Sequence, residues 1–239
     1  MTFKKKNTGS ILVLALLLSA CGGNNLASPI SRILHKFQKP AYVSSEVFKS
    51  SRFPPPPPAG SEEQKADIAA VLELQQKRTE ADCARAGATA KANYDFFWGD
   101  KNPFPAPLPD KVKDFFRRLD YDAGESVNVM KNKFERPRPY IAYKEATPCI
   151  KKSGGYSYPS GHSSYSRIFA NVLGDIIPSR KEEFIRKADG IAADRVLGGV
   201  HYPTDIAAGK IFGDEFHAQL LKNPAYLQDI EKMKDLLVR

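Results

Sequence analysis

The sequence predicts an all-α fold, a single-domain helical bundle built around one core. Apolar residues recur at intervals of three and four along several segments, which is the period of an amphipathic helix. No segment shows the sustained alternation of apolar and polar residues that is typical of a strand. A length of 239 residues suits one domain, and a composition of 42% hydrophobic and 26% charged residues is ordinary for a globular protein.

The first helix of the domain is predicted to begin at a capping box, Ser61-Glu62-Glu63-Gln64. Its apolar period continues to about Ala86, and a second helix is predicted from Ala88 to Trp98. Residues 102–109 contain four prolines, so this stretch is predicted to be a loop.

The longest helix is predicted to start with Asp110 as its cap and to end near Lys131. One stripe of this helix is apolar and is expected to face the core: Val112, Phe115, Phe116, Leu119, Ala123, Val127 and Met130. Pro137 and Pro139 exclude a regular helix after it, and residues 140–158 are predicted to be a loop.

The C-terminal third is predicted to form four helices, each marked by a start or a stop signal. The first is expected at residues 163–177 and stops at Pro178. The second is expected at residues 179–197, begins with a capping box Ser179-Arg180-Lys181-Glu182 and ends at Gly198-Gly199. The third begins at Pro203 and the last at about Pro224. Proline is favourable in the first turn because no helical partner exists there for its missing N–H.

The first twenty residues read as an export signal, in which Lys4-Lys5-Lys6 precedes an apolar run at residues 11–18. The run ends in Leu18-Ser19-Ala20-Cys21, which resembles the bacterial lipobox, whose cysteine is acylated and becomes the first residue. The expectation is a signal peptide at 1–20 and a lipid anchor on Cys21, on the periplasmic side of the bacterial envelope. Gly22 follows where an Asp would indicate inner-membrane retention, so the outer membrane is favoured. An ordinary secretory peptide with an incidental cysteine is the alternative.

Residues 21–60 are predicted to be a flexible, Pro-rich tether, and residues 61–239 the folded domain. Pro54 to Pro58 must adopt an extended polyproline conformation, but the sequence leaves open whether this run is a spacer or packs on the domain. With Cys21 acylated, Cys83 and Cys149 remain as an even pair in an oxidising compartment and are expected to form a disulfide. Two unrelated buried thiols are the alternative.

The net charge of +9 includes three lysines of the signal segment. The remaining 33 basic and 27 acidic residues give +6, which suits anionic substrates. No long basic tract or interleaving of basic and aromatic residues occurs, so nucleic acid is not expected as a partner. The sequence does not determine the oligomeric state and leaves a homo-oligomer open.

Three polar clusters fall at the ends of predicted helices: Lys131 with Arg138; Ser160, Gly161 and His162; and Arg195 with His201 and Asp205. The arginines can bind phosphate oxygens as bidentate forks, Lys131 adds a positive charge, and the backbone N–H groups near Ser160 and Gly161 add neutral donors. His201 can act as nucleophile, Asp205 can hold its other ring nitrogen, and His162 can protonate a leaving group. These are the groups that phosphoryl transfer requires.

The spacing Lys131-x6-Arg138-Pro139, Pro159-Ser160-Gly161-His162 and Arg195-x5-His201-x3-Asp205 resembles the three-part signature of the superfamily that joins type 2 phosphatidic acid phosphatases and vanadium haloperoxidases. The context over most of residues 54–235 is similar to class A bacterial nonspecific acid phosphatases. The resemblance implies a helical bundle of that superfamily and a metal-independent acid phosphatase without a cofactor. It would hydrolyse small phosphomonoesters through a phosphohistidine, with transfer of the phosphoryl group to other alcohols as a further possibility.

The third motif departs from the resembled pattern, because Asp194 stands where Ser usually precedes Arg195. Asp194 is expected on the solvated face of its helix.

Three alternative functions remain open: a vanadate-dependent haloperoxidase, a non-catalytic anion-binding envelope lipoprotein and a membrane-embedded lipid phosphatase. The last is disfavoured because no second apolar span follows residue 20.

Overall fold

The structure, a computed structural model, describes residues 39–238, and over this range it contains helices and loops but no strand. The prediction of an all-α fold is therefore confirmed. The helices are α1 (Glu46–Lys49), α2 (Glu62–Lys77), α3 (Glu80–Thr89), α4 (Asp110–Phe134), α5 (Pro139–Ala142), α6 (Gly161–Ile176), α7 (Lys181–Leu197), α8 (Pro203–Leu220) and α9 (Pro224–Lys234), with short 3-10 turns at Tyr94–Phe97 and Pro178–Arg180.

Helix α6 lies at the centre of the bundle and makes its most extensive contacts with α7 and α8. Two glycines of α8 allow the close approach of α8 to the first half of α6. A Cβ atom on Gly209 would lie 2.6 Å from Cβ of Ser163, and one on Gly213 would lie 2.6 Å from Cβ of Arg167. Larger residues at these positions would separate the two helices where α6 begins.

Helix α4 buries the apolar stripe that its sequence predicts, and every residue of the predicted stripe is at most 2% exposed. Aromatic rings surround it: Phe116 stacks on Tyr94 with ring centroids 4.1 Å apart and also contacts Trp98 and Phe169 edge to face. This packing fixes the direction of α4 and therefore the position of Lys131 in its last turn.

The structure differs from the prediction at several helix limits. The helix that begins after Ser61 ends at Lys77, and α3 starts separately, because Thr79 and Asp82 form a capping box and Arg78 is extended. The predicted helix at 88–98 is instead the end of α3, a loop and a 3-10 turn.

Two predicted caps are also wrong. Asp110 is the first residue of α4, whose N-cap position is Pro109, and no side chain caps this end. The predicted capping box at 179–182 is absent, because Pro178 begins a 3-10 turn that leads directly into α7. Elsewhere the limits at Ser61, Pro203 and Pro224 agree with the sequence, as does the loop at 102–109.

The part of the predicted tether that the structure describes, residues 39–60, does not behave as a tether. The compact unit begins at Pro40. Phe48 and Phe53 are buried in the core, and the backbone N–H groups of Ala41, Tyr42 and Val43 donate hydrogen bonds to the carboxylate of Asp122 on α4. The folded domain therefore begins about twenty residues before the predicted boundary. The export signal and Cys21 lie outside the described residues.

The predicted disulfide is present, with Cys83 on α3 bonded to Cys149 in the loop after α5 and their Cα atoms 5.7 Å apart. Closing a loop of this length stabilises a fold by roughly 4 kcal/mol in the chain-entropy model.

Within residues 39–238, no helix is long and apolar enough to cross a membrane.

The packing of residues 40–60 can be tested at Phe48, which lies 4.8 Å from Phe212 and 6.0 Å from Phe216 between ring centroids. Replacing Phe48 by Ala should lower the free energy of unfolding by about 3–5 kcal/mol, because a buried ring leaves a cavity. Chemical denaturation measures the change. The neighbouring Val47, which is 42% exposed, is the matched control, and Val47→Ala should cost less than about 0.5 kcal/mol. Equally small effects of both substitutions would show that the segment is not part of the core.

Candidate active site

The three polar clusters predicted from the sequence come together at the ends of four helices. Lys131 lies in the last turn of α4, Ser160 caps α6, Arg195 lies in the last turn of α7, and Asp205 lies in the first turn of α8. They surround a cavity of about 340 Å³, and five predicted site residues line it: Lys131, Arg138, Gly161, His162 and His201. The other three, Ser160, Arg195 and Asp205, are buried.

His201 is held by a partner at each ring nitrogen. Its Nδ1 lies 3.1 Å from Oδ2 of Asp205, and its Nε2 lies 3.1 Å from Nη1 of Arg138. Because a guanidinium can only donate, Nε2 must accept, and the ring proton is therefore on Nδ1. This tautomer leaves the lone pair of Nε2 on the side of Arg138, where a nucleophile would need it.

Burial determines the protonation state of this histidine. His201 is only 2% exposed, and desolvation lowers its pKa to about 3, although Asp205 favours the imidazolium. The positive charges of Arg138 and Lys131 act in the same direction as burial. The imidazole is consequently neutral throughout the mildly acidic range, and its Nε2 lone pair accepts from Nη1 of Arg138.

Asp205 is fully buried and accepts hydrogen bonds at both carboxylate oxygens. Oδ2 accepts from His201, from the hydroxyl of Ser157 and from the backbone N–H of Tyr202, while Oδ1 accepts from Arg136 at 2.6 Å. Burial alone would raise the pKa of Asp205, but the hydrogen bonds from His201 and Ser157 and the charge of Arg136 outweigh it and hold the pKa below its usual value. The carboxylate therefore stays ionised.

Lys131 binds the loop that precedes α6. Its ammonium donates to the carbonyl oxygens of Tyr156 at 2.7 Å and Pro159 at 2.9 Å, and lies 3.5 Å from that of Ser157. Desolvation, with the nearby charge of Arg138, lowers the pKa of Lys131 to about 7. The positive charge that this residue brings to the cavity is thus present in acid and weakens above neutrality.

Arg138 connects the same loop to His201. Its Nε donates to the carbonyl of Gly155 at 3.0 Å and its Nη1 to the carbonyl of Val200 at 3.0 Å, while Nη2 lies 3.3 Å from the carbonyl of Gly154. Burial lowers the pKa of Arg138, although it remains a cation because its ordinary value is so high.

The first turn of α6 supplies the neutral donors. The side chain of Ser160 accepts from the N–H of Ser163, and the carbonyl of Ser160 accepts from the N–H of Ser164. The N–H groups of Gly161 and His162 are in the first turn, where a helix has no internal acceptors for them. These two donors and the positive end of the helix dipole favour an anion at this point.

His162 is oriented by a main-chain carbonyl. Its Nε2 lies 3.1 Å from the carbonyl oxygen of Ala90, which can only accept, so Nε2 carries a proton and Nδ1 is the nitrogen that titrates. Burial lowers the pKa of His162, and the charges of Arg195, Arg138 and Lys131 lower it further. An anion bound among these cations would offset their effect and raise it again.

Arg195 is 1% exposed and is held by α3. Its Nη2 donates to the carbonyl of Ala86 and, at 2.6 Å, to the hydroxyl of Thr89, while Nε lies 3.3 Å from the carbonyl of Ile191. Burial lowers the pKa of Arg195 to about 10, which still leaves it charged. Its Nη1 has no hydrogen-bond partner within residues 39–238, but Arg195 is not among the residues that line the cavity.

The prediction for Asp194 is wrong, because the residue is buried rather than on the solvated face of α7. Its Oδ1 accepts from Nε of Arg85 at 3.1 Å, and its Oδ2 accepts from the hydroxyl of Thr89 at 2.8 Å. Thr89 therefore links Asp194 to Arg195. The carboxylate faces α3 and does not line the cavity, so it positions the arginine through α3 and does not meet a ligand.

Sequence reasoning missed Arg136, which is 5% exposed and lies between two carboxylates. Its Nη1 binds Asp205, its Nη2 binds Asp67 of α2 at 2.7 Å, and its guanidinium stacks 4.0 Å from the ring centroid of Tyr202. The repeated Arg-Pro at 136–139 was the available signal, but only Arg138 has the spacing of the motif. Thr89 and Ser157 carried no comparable signal.

Comparisons with known proteins agree with this geometry. A family model described as the PAP2 superfamily matches residues 123–218, which include all three motifs. A non-specific acid phosphatase of Providencia stuartii is 30% identical over 166 residues, covering 67% of this chain and 65% of that protein. A non-specific acid phosphatase of Salmonella typhi is 32% identical over 113 residues, covering 45% of this chain and 44% of that protein.

Among solved structures, the first bacterial vanadium-dependent iodoperoxidase superposes with a TM-score of 0.50 at 19% identity, covering 73% of this chain and 53% of that one. This likeness concerns the fold alone. The chain belongs to the PAP2 superfamily. It spans between 44% and 65% of the length of the two acid phosphatases, so their activity is a proposal for this chain.

The role of Asp194 can be tested by the substitution Asp194→Ser, which introduces the residue usual in the resembled motif. The free energy of unfolding should fall by about 1–3 kcal/mol, because Arg85 and Thr89 lose a buried acceptor. The Michaelis constant for a phosphomonoester should stay within about threefold, because the carboxylate does not face the cavity. Glu182→Ser on the same helix, where the side chain is 94% exposed, is the control and should change neither quantity. A Michaelis constant raised more than about tenfold would place Asp194 at the ligand.

Proposed function

We propose that this chain is a metal-independent acid phosphatase that hydrolyses small phosphomonoesters through a phosphohistidine at His201. The observation that carries the proposal is the state of this residue, whose Nδ1 proton is held by Asp205 and whose Nε2 lone pair lies beside Arg138 at the cavity. Binding an anion would not require an oriented, neutral imidazole. Nucleophilic attack does.

In the first step, Nε2 of His201 attacks phosphorus in line with the leaving oxygen. An N–P bond forms, the P–O bond breaks, and the departing alkoxide takes the proton from Nδ1 of His162. Arg138, Arg195, Lys131 and the first N–H groups of α6 stabilise the charge on the transferring group. Asp205 stabilises the positive charge that develops on His201 as its lone pair is used.

In the second step, a water molecule attacks the phosphohistidine while Nδ1 of His162 removes its proton. The N–P bond breaks, inorganic phosphate leaves, and His201 returns to the neutral form. Another alcohol in place of water would give a new phosphomonoester, so phosphotransferase activity follows from the same geometry.

The protonation states support an acidic working range. The nucleophile is available above its pKa of about 3, whereas the leaving-group acid must be protonated, and burial lowers the pKa of His162 below the ordinary 6.5. The rate should therefore rise as pH increases through the pKa of His201 and fall as pH increases through the pKa of His162. It should decline further as Lys131 loses its proton near pH 7.

The proposed roles of the two histidines can be separated with two leaving groups. His201→Ala should reduce kcat by about 10⁴-fold or more for both nitrophenyl phosphate and glycerol phosphate, because the nucleophile is lost. His162→Ala should reduce kcat much more for glycerol phosphate, by about 10²–10⁴-fold, because an alkoxide needs a proton and nitrophenolate does not. Wild type, quenched in base during turnover of labelled substrate, should carry label on His201.

The control for this experiment is His217→Gln, which removes a histidine paired with Asp175 at 2.7 Å and outside the cavity lining. It should retain wild-type kcat. Substantial turnover by His201→Ala, or label on another residue, would refute the nucleophile. Loss of activity in a chelator would refute metal independence, and bromide oxidation with vanadate and peroxide, without hydrolysis of phosphomonoesters, would favour a haloperoxidase.

We further propose that the enzyme is a lipoprotein of the bacterial envelope, with residues 1–20 as signal peptide, the lipid on Cys21 and the catalytic domain from Pro40 onward. The support is the order of basic head, apolar run and lipobox-like residues. Cells expressing the full chain should incorporate labelled palmitate into it and retain it in the outer-membrane fraction. Cys21→Ser should abolish the label, and label that persists in this variant would refute the anchor.

A further inference from the structure

The cavity continues beyond the cationic end along one face of α4. Asp120, Val127, Asn128 and Lys131 all belong to this helix, and all line the cavity. Asp120 and Lys131 are eleven positions apart, close to three full turns, and so lie about 16 Å apart along the helix axis. A phosphoryl group next to His201 would occupy only the Lys131 end, and the rest of the cavity faces whatever the phosphate is attached to.

Apolar residues make up part of the lining. Val127 stands between Asp120 and Lys131 on α4, Phe97, Phe169 and Ile191 also line the cavity, and the ring of Tyr165 packs against Phe169 at 6.3 Å between centroids. Apolar and aromatic walls with a few polar groups are typical of sites that bury the body of a small molecule. The leaving group that fits here therefore has an apolar or aromatic body.

The far end carries the opposite charge to the near end. Asp120 is the one carboxylate among the described residues that line the cavity. It forms no hydrogen bond or ion pair within residues 39–238, whereas Asp110 and Asp114 of the same helix pair with Lys113 and Arg117. Asp120 is an exposed residue, and the partial desolvation of its carboxyl group at the cavity wall raises its pKa.

The hydroxyl of Tyr165, near Asp120, is also without a hydrogen-bond partner in the described part of the chain. Burial, together with the charges of Asp120 and Glu125, raises the pKa of Tyr165, so its hydroxyl stays protonated. Asn128 also lines the cavity, but it lies eight positions from Asp120 and only three from Lys131, so it belongs to the Lys131 end. The Asp120 end thus offers one negative charge and one neutral hydroxyl that can form hydrogen bonds.

We propose that the outer cavity is a leaving-group subsite in which Asp120 selects phosphomonoesters that carry a cationic amine, and disfavours those that carry a second anion. The preferred ligand has a phosphate at one end, an apolar body and an ammonium group at the other, which matches the order of cations, apolar wall and carboxylate in the cavity. This inference rests on the proposed function, since it identifies the substrate class of the same site.

The test compares three biphenyl-4-yl phosphates that differ only at the 4′ position: aminomethyl, hydroxymethyl and carboxymethyl. Two rings are needed because a single ring is too short for the roughly 16 Å of α4 between Lys131 and Asp120. For wild type, kcat/KM should decrease in this order at a pH above the pKa of Asp120, with about a five- to tenfold ratio between the cationic and the anionic compound at low salt. In Asp120→Asn the ratio should be near one, because the carboxylate is gone. In Asp120→Lys the anionic compound should become the preferred one. Added salt should reduce the wild-type ratio.

The matched control is Glu125→Gln, which removes a carboxylate from an exposed position of the same helix that does not line the cavity. It should keep the wild-type ratio. The same ratio in wild type and Asp120→Asn, or the same loss in Glu125→Gln, would overturn the subsite. Hydrolysis of the neutral compound by wild type shows in the same assay that the proposed function stands.

A second readout separates the subsite from catalysis. Calorimetry with the three corresponding non-hydrolysable phosphonates gives dissociation constants that do not depend on turnover. Wild type should bind the cationic phosphonate about five- to tenfold more tightly than the anionic one, and Asp120→Asn should lose this preference. Equal affinities in wild type would overturn the subsite even if all three phosphates are hydrolysed. The expected affinities without hydrolysis would instead contradict only the proposed function.

Discussion

The buried carboxylate of Asp205 is the group on which the site and much of the surrounding fold depend. Its oxygens accept from His201, Ser157, the N–H of Tyr202 and Arg136, and its own carbonyl accepts from the N–H of Ser160. A charge without solvent costs several kcal/mol unless every lone pair has a donor. The loop before α6, the start of α8 and the segment after α4 must therefore meet at one point, and this requirement also orients His201, the proposed nucleophile.

The cations of the site are held by carbonyl oxygens in a comparable way. Lys131 and Arg138 donate to main-chain carbonyls between residues 154 and 159, so the positive groups and the loop fix one another. Their charges are in place before an anion arrives, and little reorganisation is needed during transfer. The depressed pKa values of Lys131 and His201 follow from the same burial and are the basis of the proposed acidic working range.

The sequence predicted the parts of this structure whose signals are local. The apolar stripe of α4 lies within one helix, and the motif residues stand at helix ends, where the spacing alone brings them to one side of the bundle. Contacts between distant segments could not be predicted: the packing of residues 40–60 and the burial of Asp194 both depend on partners far away in the chain. Arg136 was missed for the same reason, because Asp67 lies 69 residues before it.

Helix α3 shows how much of the site lies outside the signature residues. The carbonyl oxygen of Ala86, near the end of α3, accepts a hydrogen bond from Arg195. The carbonyl oxygen of Ala90, just after the end of α3, orients His162. The disulfide from Cys83 fixes this helix to the loop after α5, and Asp194 fixes it to α7 through Arg85. An Asp in place of the usual Ser is then a structural adaptation, since it anchors the helix that positions two of the proposed functional groups. The carboxylate of Asp194 does not line the cavity, so this departure from the resembled motif concerns the contacts between α3 and α7.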